Sequence, residues 1–355
     1  MGCGSSSSKV GNDSGGTEPF RSDNVLVSKY KLGKKLGEGS YATVFEATDT
    51  EDKIWAVKII DKSKCSPEEL VEVKWEAEAL QIVKHENITY LKEALESANY
   101  YYLVMEIMAG GELFDRIVEK EHYSEKMARD AIRTIAIALL HAHDVGVVHL
   151  DMKPENVLYQ GSNDDDPLKI CDFGISRKIE DGKLIAADGH FHGTPGYIPP
   201  EMVERKPYGK GCDVWAVGCL AYILLAGYPP FDGDEETEEG QVELFRQITT
   251  GSFFPFDEDN GDDNPWEDVS ADAKDFIQQC FTVDQYKRPG LDVLLGHKWF
   301  DGAGNDKRLV KSKKKLLAFN AKRKLQGAIR KVISANRMKD MLSKLRDGAL
   351  MEEKQ

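Results

Sequence analysis

The sequence predicts an α+β protein of two lobes, a small β-rich lobe followed by a larger helical one, with an amphipathic helix after them. Three observations carry this expectation. Strand-like alternation dominates residues 30–107, three-to-four periodicity takes over from Leu113, and a basic, apolar-striped segment stands at 315–345. At 355 residues and 41% hydrophobic content, the chain is long enough for two or three packed units.

The elements follow in order. Residues 1–29 are Gly/Ser-rich and aperiodic apart from Val25–Val27, and they read as a flexible leader. Strands are expected at Tyr30–Gly37, Ala42–Thr48, Ile54–Asp61 and Tyr100–Ile107, with one helix, Glu68–Val83, between them. Helices are expected at Glu125–His143, Gly211–Ala226 and Ala271–Phe281. The acidic stretches Asp164–Asp166, Asp232–Glu239 and Asp257–Asp263 read as solvated loops. The organisation is thus 1–29 leader, 30–300 bilobal domain and 301–355 tail.

No apolar run approaches the ~20 residues a membrane span needs, and no secretory signal opens the chain. The cysteines 3, 65, 171, 212, 219 and 280 lack metal-ligand spacing, so a reducing, intracellular setting is expected. Charge is divided sharply. Residues 307–346 hold fifteen Lys/Arg against one acid, Asp340 (+14), while the rest carries 32 bases and 60 acids (−28). An acidic body excludes a nucleic-acid-binding fold surface, and a basic arm beside it can lie on its own domain or on an acidic partner.

Chemistry gathers in a few short segments. Gly37-Glu38-Gly39-Ser40-Tyr41-Ala42-Thr43-Val44 lies between two strands, where glycines let backbone N–H groups close over phosphates. By itself this segment reads equally well as an ordinary hairpin. Lys58 then stands within the apolar strand Ala56-Val57-Lys58-Ile59-Ile60, and a lysine so placed needs an acid. Glu76 on the following helix is the expected partner, with Glu78 the alternative. His149-Leu150-Asp151-Met152-Lys153-Pro154-Glu155-Asn156 and Asp172-Phe173-Gly174 add two acids, an amide and a lysine on loops after strands, as a metal–phosphate site requires.

In this order and spacing, the segments resemble a eukaryotic protein kinase across residues 30–300. The likeness continues through Gly193-Thr194-Pro195-Gly196-Tyr197, Asp213-Val214-Trp215, Arg288 and His297-Lys298-Trp299-Phe300, and its wording is that of the serine/threonine branch. The resemblance implies the bilobal protein-kinase fold, ATP and Mg²⁺ as cofactors, and a role for each matching residue. Lys58, paired with Glu76, would hold the α/β-phosphates. Asn156 and Asp172 would ligate Mg²⁺, Asp151 would take or orient the substrate hydroxyl proton, and Lys153 would neutralise the transferred group. Leu36, Gly37, Glu38, Gly39, Ser40, Val44 and Ala56 would cover the nucleotide. Met105 is placed as gatekeeper, with backbone groups of Glu106 and Met108 as adenine partners. Glu112 is placed for the ribose hydroxyls, and Glu112 and Glu155 are also the acidic contacts to a substrate arginine, which implies basophilic protein substrates. Ile223 stands where a further acid selects a second basic position. The alternative from another class is a nucleotide-binding scaffold without phosphotransfer, against which the presence of Lys58, Asp151 and Asp172 argues.

Two departures agree with each other. Leu150 replaces the arginine that ordinarily binds an activation-loop phosphate, and residues 178–192 contain no Ser, Thr or Tyr. Activity independent of loop phosphorylation is therefore expected, with Asp181 or Asp188 as the ordering charge. His-Leu-Asp resembles the myosin light-chain and death-associated kinases. The tail segment Ala318–Ile329 resembles the regulatory segment of calcium/calmodulin-dependent kinases. Leu325, Ile329, Val332 and Met338 fall at positions 1, 5, 8 and 14 among bases and suit the two lobes of calmodulin as anchors. A membrane-docking helix and a purely structural C-terminal helix are the other readings. No calcium loop is found, so calcium would be sensed by the partner. Ser334 within the basic helix is a candidate autophosphorylation site, with an ordinary surface serine as the other reading. Met1-Gly2-Cys3-Gly4-Ser5-Ser6 matches the myristoylation pattern, with Gly2 the acceptor and Cys3 a palmitoylation site, which implies a kinase held on the cytoplasmic face of a membrane.

Overall fold

The computed structural model describes residues 19–39, 42–187, 192–233, 237–256, 263–302 and 307–329. Gly2, Cys3, Ser40, Asp188, Val332, Ser334 and Met338 lie outside the described residues. The N-terminal lobe is an antiparallel sheet in the order β1-β2-β3-β5-β4. Its strands are β1 (Tyr30–Glu38), β2 (Ala42–Asp49), β3 (Ile54–Asp61), β4 (Leu91–Glu96) and β5 (Tyr100–Met105). Phe45, Val57, Ile59, Tyr102 and Val104 fill one face of this sheet. The register sets Ala56 opposite Met105 and Lys58 opposite both Val44 and Leu103.

Two helices differ from expectation in this half. Residues 19–29 were expected within a flexible leader, yet Pro19–Ser22 and α1 (Asn24–Val27) are helical. Leu26 is fully buried, Phe20 packs on Phe45 and Tyr100, and Asp23 accepts a hydrogen bond from Tyr102 Oη at 2.8 Å. The local sequence is unremarkable; the exposed sheet face supplies the apolar surface that orders it. The expected helix is α2 (Pro67–Ile82), opened by a Ser66/Glu69 capping box with proline at its first turn. Val73, Glu76, Ala79 and Leu80 form its buried stripe.

The C-terminal lobe comprises α3 (Leu113–Glu119), α4 (Glu125–Asp144), the short strands β6 (Val147–Val148), β7 (Val157–Tyr159), β8 (Leu168–Ile170) and β9 (Arg177–Lys178), then α5 (Pro200–Val203), α6 (Gly211–Ala226), α7 (Glu238–Thr250), α8 (Ala271–Cys280), α9 (Leu291–Leu294) and α10 (Lys298–Asp301). Helix α6 is apolar around its whole circumference and is accordingly buried on every side, the post around which the lobe packs. It ends at Gly227, whose φ of 84° only glycine adopts without strain.

A last helix, α11, spans residues 310–329. Its first half belongs to the C-lobe core: Leu309 N–H donates to Tyr123 O at 2.9 Å, and Leu309, Ser312 and Leu316 are buried. A Cβ at Gly227 would stand 2.6 Å from Leu316 N, so α6 must end in glycine for this helix to dock. Leu309, Ser312 and Leu316 thus tie the start of the tail to the C-lobe.

Candidate active site

The cleft between the lobes is roofed by β1–β3. Gly37 pairs with Val44, Gly39 N–H donates to Ala42 O at 2.8 Å, and a Cβ on Gly37 would meet nothing. Packing does not demand glycine at position 37; it leaves room beneath a backbone turn for a phosphate. Leu36 and Glu38 lie on β1, Val44 on β2 and Ala56 on β3, and Met105 ends β5 opposite Ala56.

Lys58 Nζ donates to both carboxylate oxygens of Glu76 at 2.7 and 2.8 Å, and Glu78 is not the partner. Burial pushes the Glu76 carboxyl up from its ordinary range while Lys58 holds against that rise. Lys58 also lies 3.6 Å from Asp172 and holds that carboxyl below its usual range. Helix α2 is kept against the cleft by two further contacts: Trp75 Nε1 donates to Ser176 Oγ at 3.0 Å, and Arg177 pairs with Glu72 at 3.0 Å.

Asp151 is the centre of the floor. Its Oδ2 accepts from Lys153 Nζ at 2.6 Å and its Oδ1 from Thr194 Oγ1 at 2.8 Å; Asn156 Nδ2 donates to its backbone oxygen at 2.7 Å. Because Asn156 spends its nitrogen there, its amide oxygen is the atom left to act as a ligand. The loop is pinned from below by Asp213 in α6, whose carboxylate accepts the N–H groups of His149 and Leu150, both at 2.9 Å, and meets His143 Nε2 at 2.8 Å. Burial alone would raise the Asp213 carboxyl, but these partners outweigh it and hold it low. Leu150 and Asp172 both have left-handed φ, 68° and 62°, a strain that such bonding can hold at a functional site.

An oxygen pair from Asn156 and Asp172 beside two lysines suits Mg²⁺, which takes few protein ligands and completes its shell with phosphate and water. Among the described residues no three His, Cys, Asp or Glu side chains gather as a metal cage. The residues present fit a magnesium nucleotide.

Helix α11 lies against α3 and Glu155 beside the cleft. Arg323 bonds to Glu112 through Nη2 and to Glu155 Oε1 through Nη1 at 2.7 Å, Lys324 pairs with Asp115, and Asn320 Nδ2 donates to Asp115 Oδ1 at 2.7 Å. Phe319 packs on Phe114, the ring centroids 6.4 Å apart. A cavity of about 510 Å³ remains between this helix and Thr194, Tyr197, Phe231 and Asp232. Leu325 and Ile329 point away from the domain, 63% and 44% exposed. Ile223 is buried within α6 and presents no group to the cleft.

Of the two charges expected to order the activation loop, Asp188 lies outside the described residues, and around Leu150 the loop packs on an apolar cluster. Asp181, fully exposed, pairs with Lys210 at 3.4 Å, a geometry worth little. Leu150 is buried with Ile179, Ile198, Met202 and Tyr208, and Ile185 and Tyr208 exchange backbone hydrogen bonds at 2.7 and 3.0 Å. Sequence reasoning assigned no role to Thr194, Asp213, Asp115 or the Glu72–Arg177 pair, although the first two stand within motifs it recognised.

The Protein kinase domain profile matches residues 30–300. Calcium/calmodulin-dependent protein kinase type 1 of Macrobrachium nipponense is 42% identical over 280 residues, 78% of this chain and 76% of that protein. The protein of the same name from Caenorhabditis elegans is 39% identical over 280 residues, again 78% and 76%. Type 1B of Homo sapiens is 40% identical over 278 residues, with the same shares of each chain.

Proposed function

The chain belongs to the protein kinase family and is a protein serine/threonine kinase, and from that premise we propose how its residues divide the work and how its tail controls them. Family membership implies ATP and Mg²⁺. A magnesium ion held here would supply positive charge against the negative charge that develops on the phosphates. Asn156 and Asp172 hold it, and Lys58, fixed by Glu76, grips the α/β-phosphates. Asp151 orients the substrate hydroxyl and accepts its proton at Oδ1 or Oδ2. Lys153, 2.6 Å from Asp151, lies where it can follow the transferred group. Met105 bounds the adenine site, with Glu106 and Met108 offering backbone groups. Glu112 is placed for the ribose in the family's pattern, but its carboxylate here holds an arginine, which favours its other family role beside Glu155.

One observation carries the regulatory reading: Arg323 lies between Glu112 and Glu155, where an arginine of a basic substrate is expected. Helix α11 is then an autoinhibitor that occupies the peptide groove and leaves the Lys58–Glu76 pair formed. The named relatives are calmodulin-dependent, and this chain turns two exposed apolar anchors, Leu325 and Ile329, away from its own domain among basic residues. Ca²⁺–calmodulin, acidic with apolar clefts, is the partner we propose for them. Tethering gives the tail about millimolar effective concentration, so inverting a 1:99 docked equilibrium takes about 5.5 kcal/mol of preferential binding. Full-length protein assayed on an arginine-containing peptide is expected to be nearly silent and to rise at least about tenfold with Ca²⁺–calmodulin. Equal activity with and without calmodulin would assign the tail to structure or to a membrane.

We infer also that the activation loop needs no phosphate, because Leu150 and its apolar neighbours occupy the receptor position and Arg177 is engaged by Glu72. Calmodulin-activated protein treated with a general phosphatase is expected to keep its kcat within about twofold, since no charge-assisted contact of the loop is lost. A tenfold loss would show a phosphate at work.

A further inference from the structure

Behind the adenine-facing segment lies a buried joint that the catalytic motifs do not use. Glu106 follows the last residue of β5, and its side chain is 13% exposed. Its Oε1 accepts from the backbone N–H of Tyr90 at 2.6 Å and from Lys169 Nζ at 2.8 Å; its Oε2 accepts from Gln160 Nε2 at 2.9 Å. Its own N–H returns a bond to Tyr90 O at 3.0 Å. Tyr90 belongs to the N-lobe, just before β4; Gln160 directly follows β7, and Lys169 is in β8. One carboxylate thus joins the N-lobe segment at Tyr90 to the paired strands β7 and β8 of the C-lobe.

Two of the partners lead to segments expected to face the nucleotide. Gln160 O accepts the N–H of Ala109, at 2.9 Å, directly after Met108. Lys169 stands three residues before Asp172, on a strand whose Ile170 donates to Asn87 O at 2.8 Å and accepts from Thr89 N at 2.9 Å. Lys169 itself is only 7% exposed. Two charges taken this far out of water persist only where each satisfies the other, and such a pair has one geometry. That geometry fixes segment 106–109 relative to the strand that delivers Asp172.

We propose that Lys169 is a positioning residue for nucleotide binding, acting through Glu106 to hold the adenine-facing backbone in register with Asp172. It touches neither nucleotide nor substrate. The inference rests on the adenine site described above, and its test separates the two. Full-length protein is titrated with a fluorescent ADP derivative in the presence of Mg²⁺, which requires no phosphotransfer and no release of the tail. Lys169→Met is expected to weaken the dissociation constant about 5- to 20-fold, the order of a broken buried charge pair felt at one remove. Lys169→Arg, which keeps charge and donors, is expected to stay within about threefold of the wild type. The double variant Glu106→Gln with Lys169→Met should be no worse than Lys169→Met alone, because the two act as one unit. A thermal melt of each variant is run beside the titration, because a reversibly unfolded fraction weakens the apparent constant only in proportion to the folded fraction, and a variant that stays folded cannot imitate a 5- to 20-fold loss in that way. Unchanged nucleotide affinity in Lys169→Met, Lys169→Arg as weak as Lys169→Met, or strictly additive losses would each overturn the inference. A wild type that does not bind the nucleotide would instead overturn the adenine site.

Discussion

Asp151→Asn is expected to lower kcat by about 10²–10⁴ while leaving the KM for peptide within a few-fold, the size of a lost general base. Asparagine keeps the shape and the backbone oxygen that Asn156 holds, so the loop stays pinned by Asp213. What disappears is the charge. Lys153 and Thr194 lose the anionic acceptor that now places both within 3.1 Å of each other, and the substrate hydroxyl loses its proton acceptor. The melting temperature should be nearly unchanged, which a thermal scan of the purified variant checks alongside steady-state kinetics. A kcat loss below tenfold would place the proton acceptor on another group.

Arg323→Glu is the second large effect, and it runs the other way. The guanidinium is 11% exposed and bonded to two carboxylates, and Glu155 and Glu112 raise its pKa against the effect of burial. Removing one partner of such a hydrogen-bonded charge pair costs about 2–5 kcal/mol, and a carboxylate there adds repulsion. A docking equilibrium near 1:99 would then be overturned, so activity without calmodulin should rise by about ten- to a hundredfold, up to the calmodulin-stimulated level. The change is made on the tail and not at Glu112 or Glu155, because those acids are also expected to read the substrate and their loss would raise the peptide KM. Leu309 and Leu316 keep the first half of α11 in the core, so stability should be little affected. Basal activity that stays at the wild-type level would show that Arg323 is not the latch.

The site was largely legible because its chemistry is written in short, contiguous segments. Lys58 and Glu76 are 18 positions apart, yet each is an odd residue in its own element, a charge on an otherwise apolar stripe, and two such anomalies point to one another. The strand Leu91–Glu96 was not legible in the same way. Leu-Lys-Glu-Ala-Leu-Glu is made of good helix formers, and it is a strand because β5 offers it a ladder and Lys92 and Glu93 find Asp49 and Tyr30. Helix α7 begins inside a stretch whose acids suggest a solvated loop; Thr237 caps it and Leu244 and Ile248 bury its inner face. Residues 19–29 carry too weak a pattern to signal order, and only the sheet beneath them supplies it.

By itself the sequence determined the two-lobed kinase domain and the candidates for phosphate, metal and proton handling that the fold brings to one cleft. Each of these depends on residue type at fixed local spacing, which the chain displays openly. Tertiary structure decided which charges answer one another across long separations: Arg323 with Glu112 and Glu155, Lys169 with Glu106, Glu72 with Arg177, and Leu150 among Ile179, Ile198 and Tyr208. No spacing rule selects those partners. Burial leaves a charge or a methyl group only the neighbours that the folded backbone brings within about 3–4 Å, and that choice exists only once the chain has closed on itself.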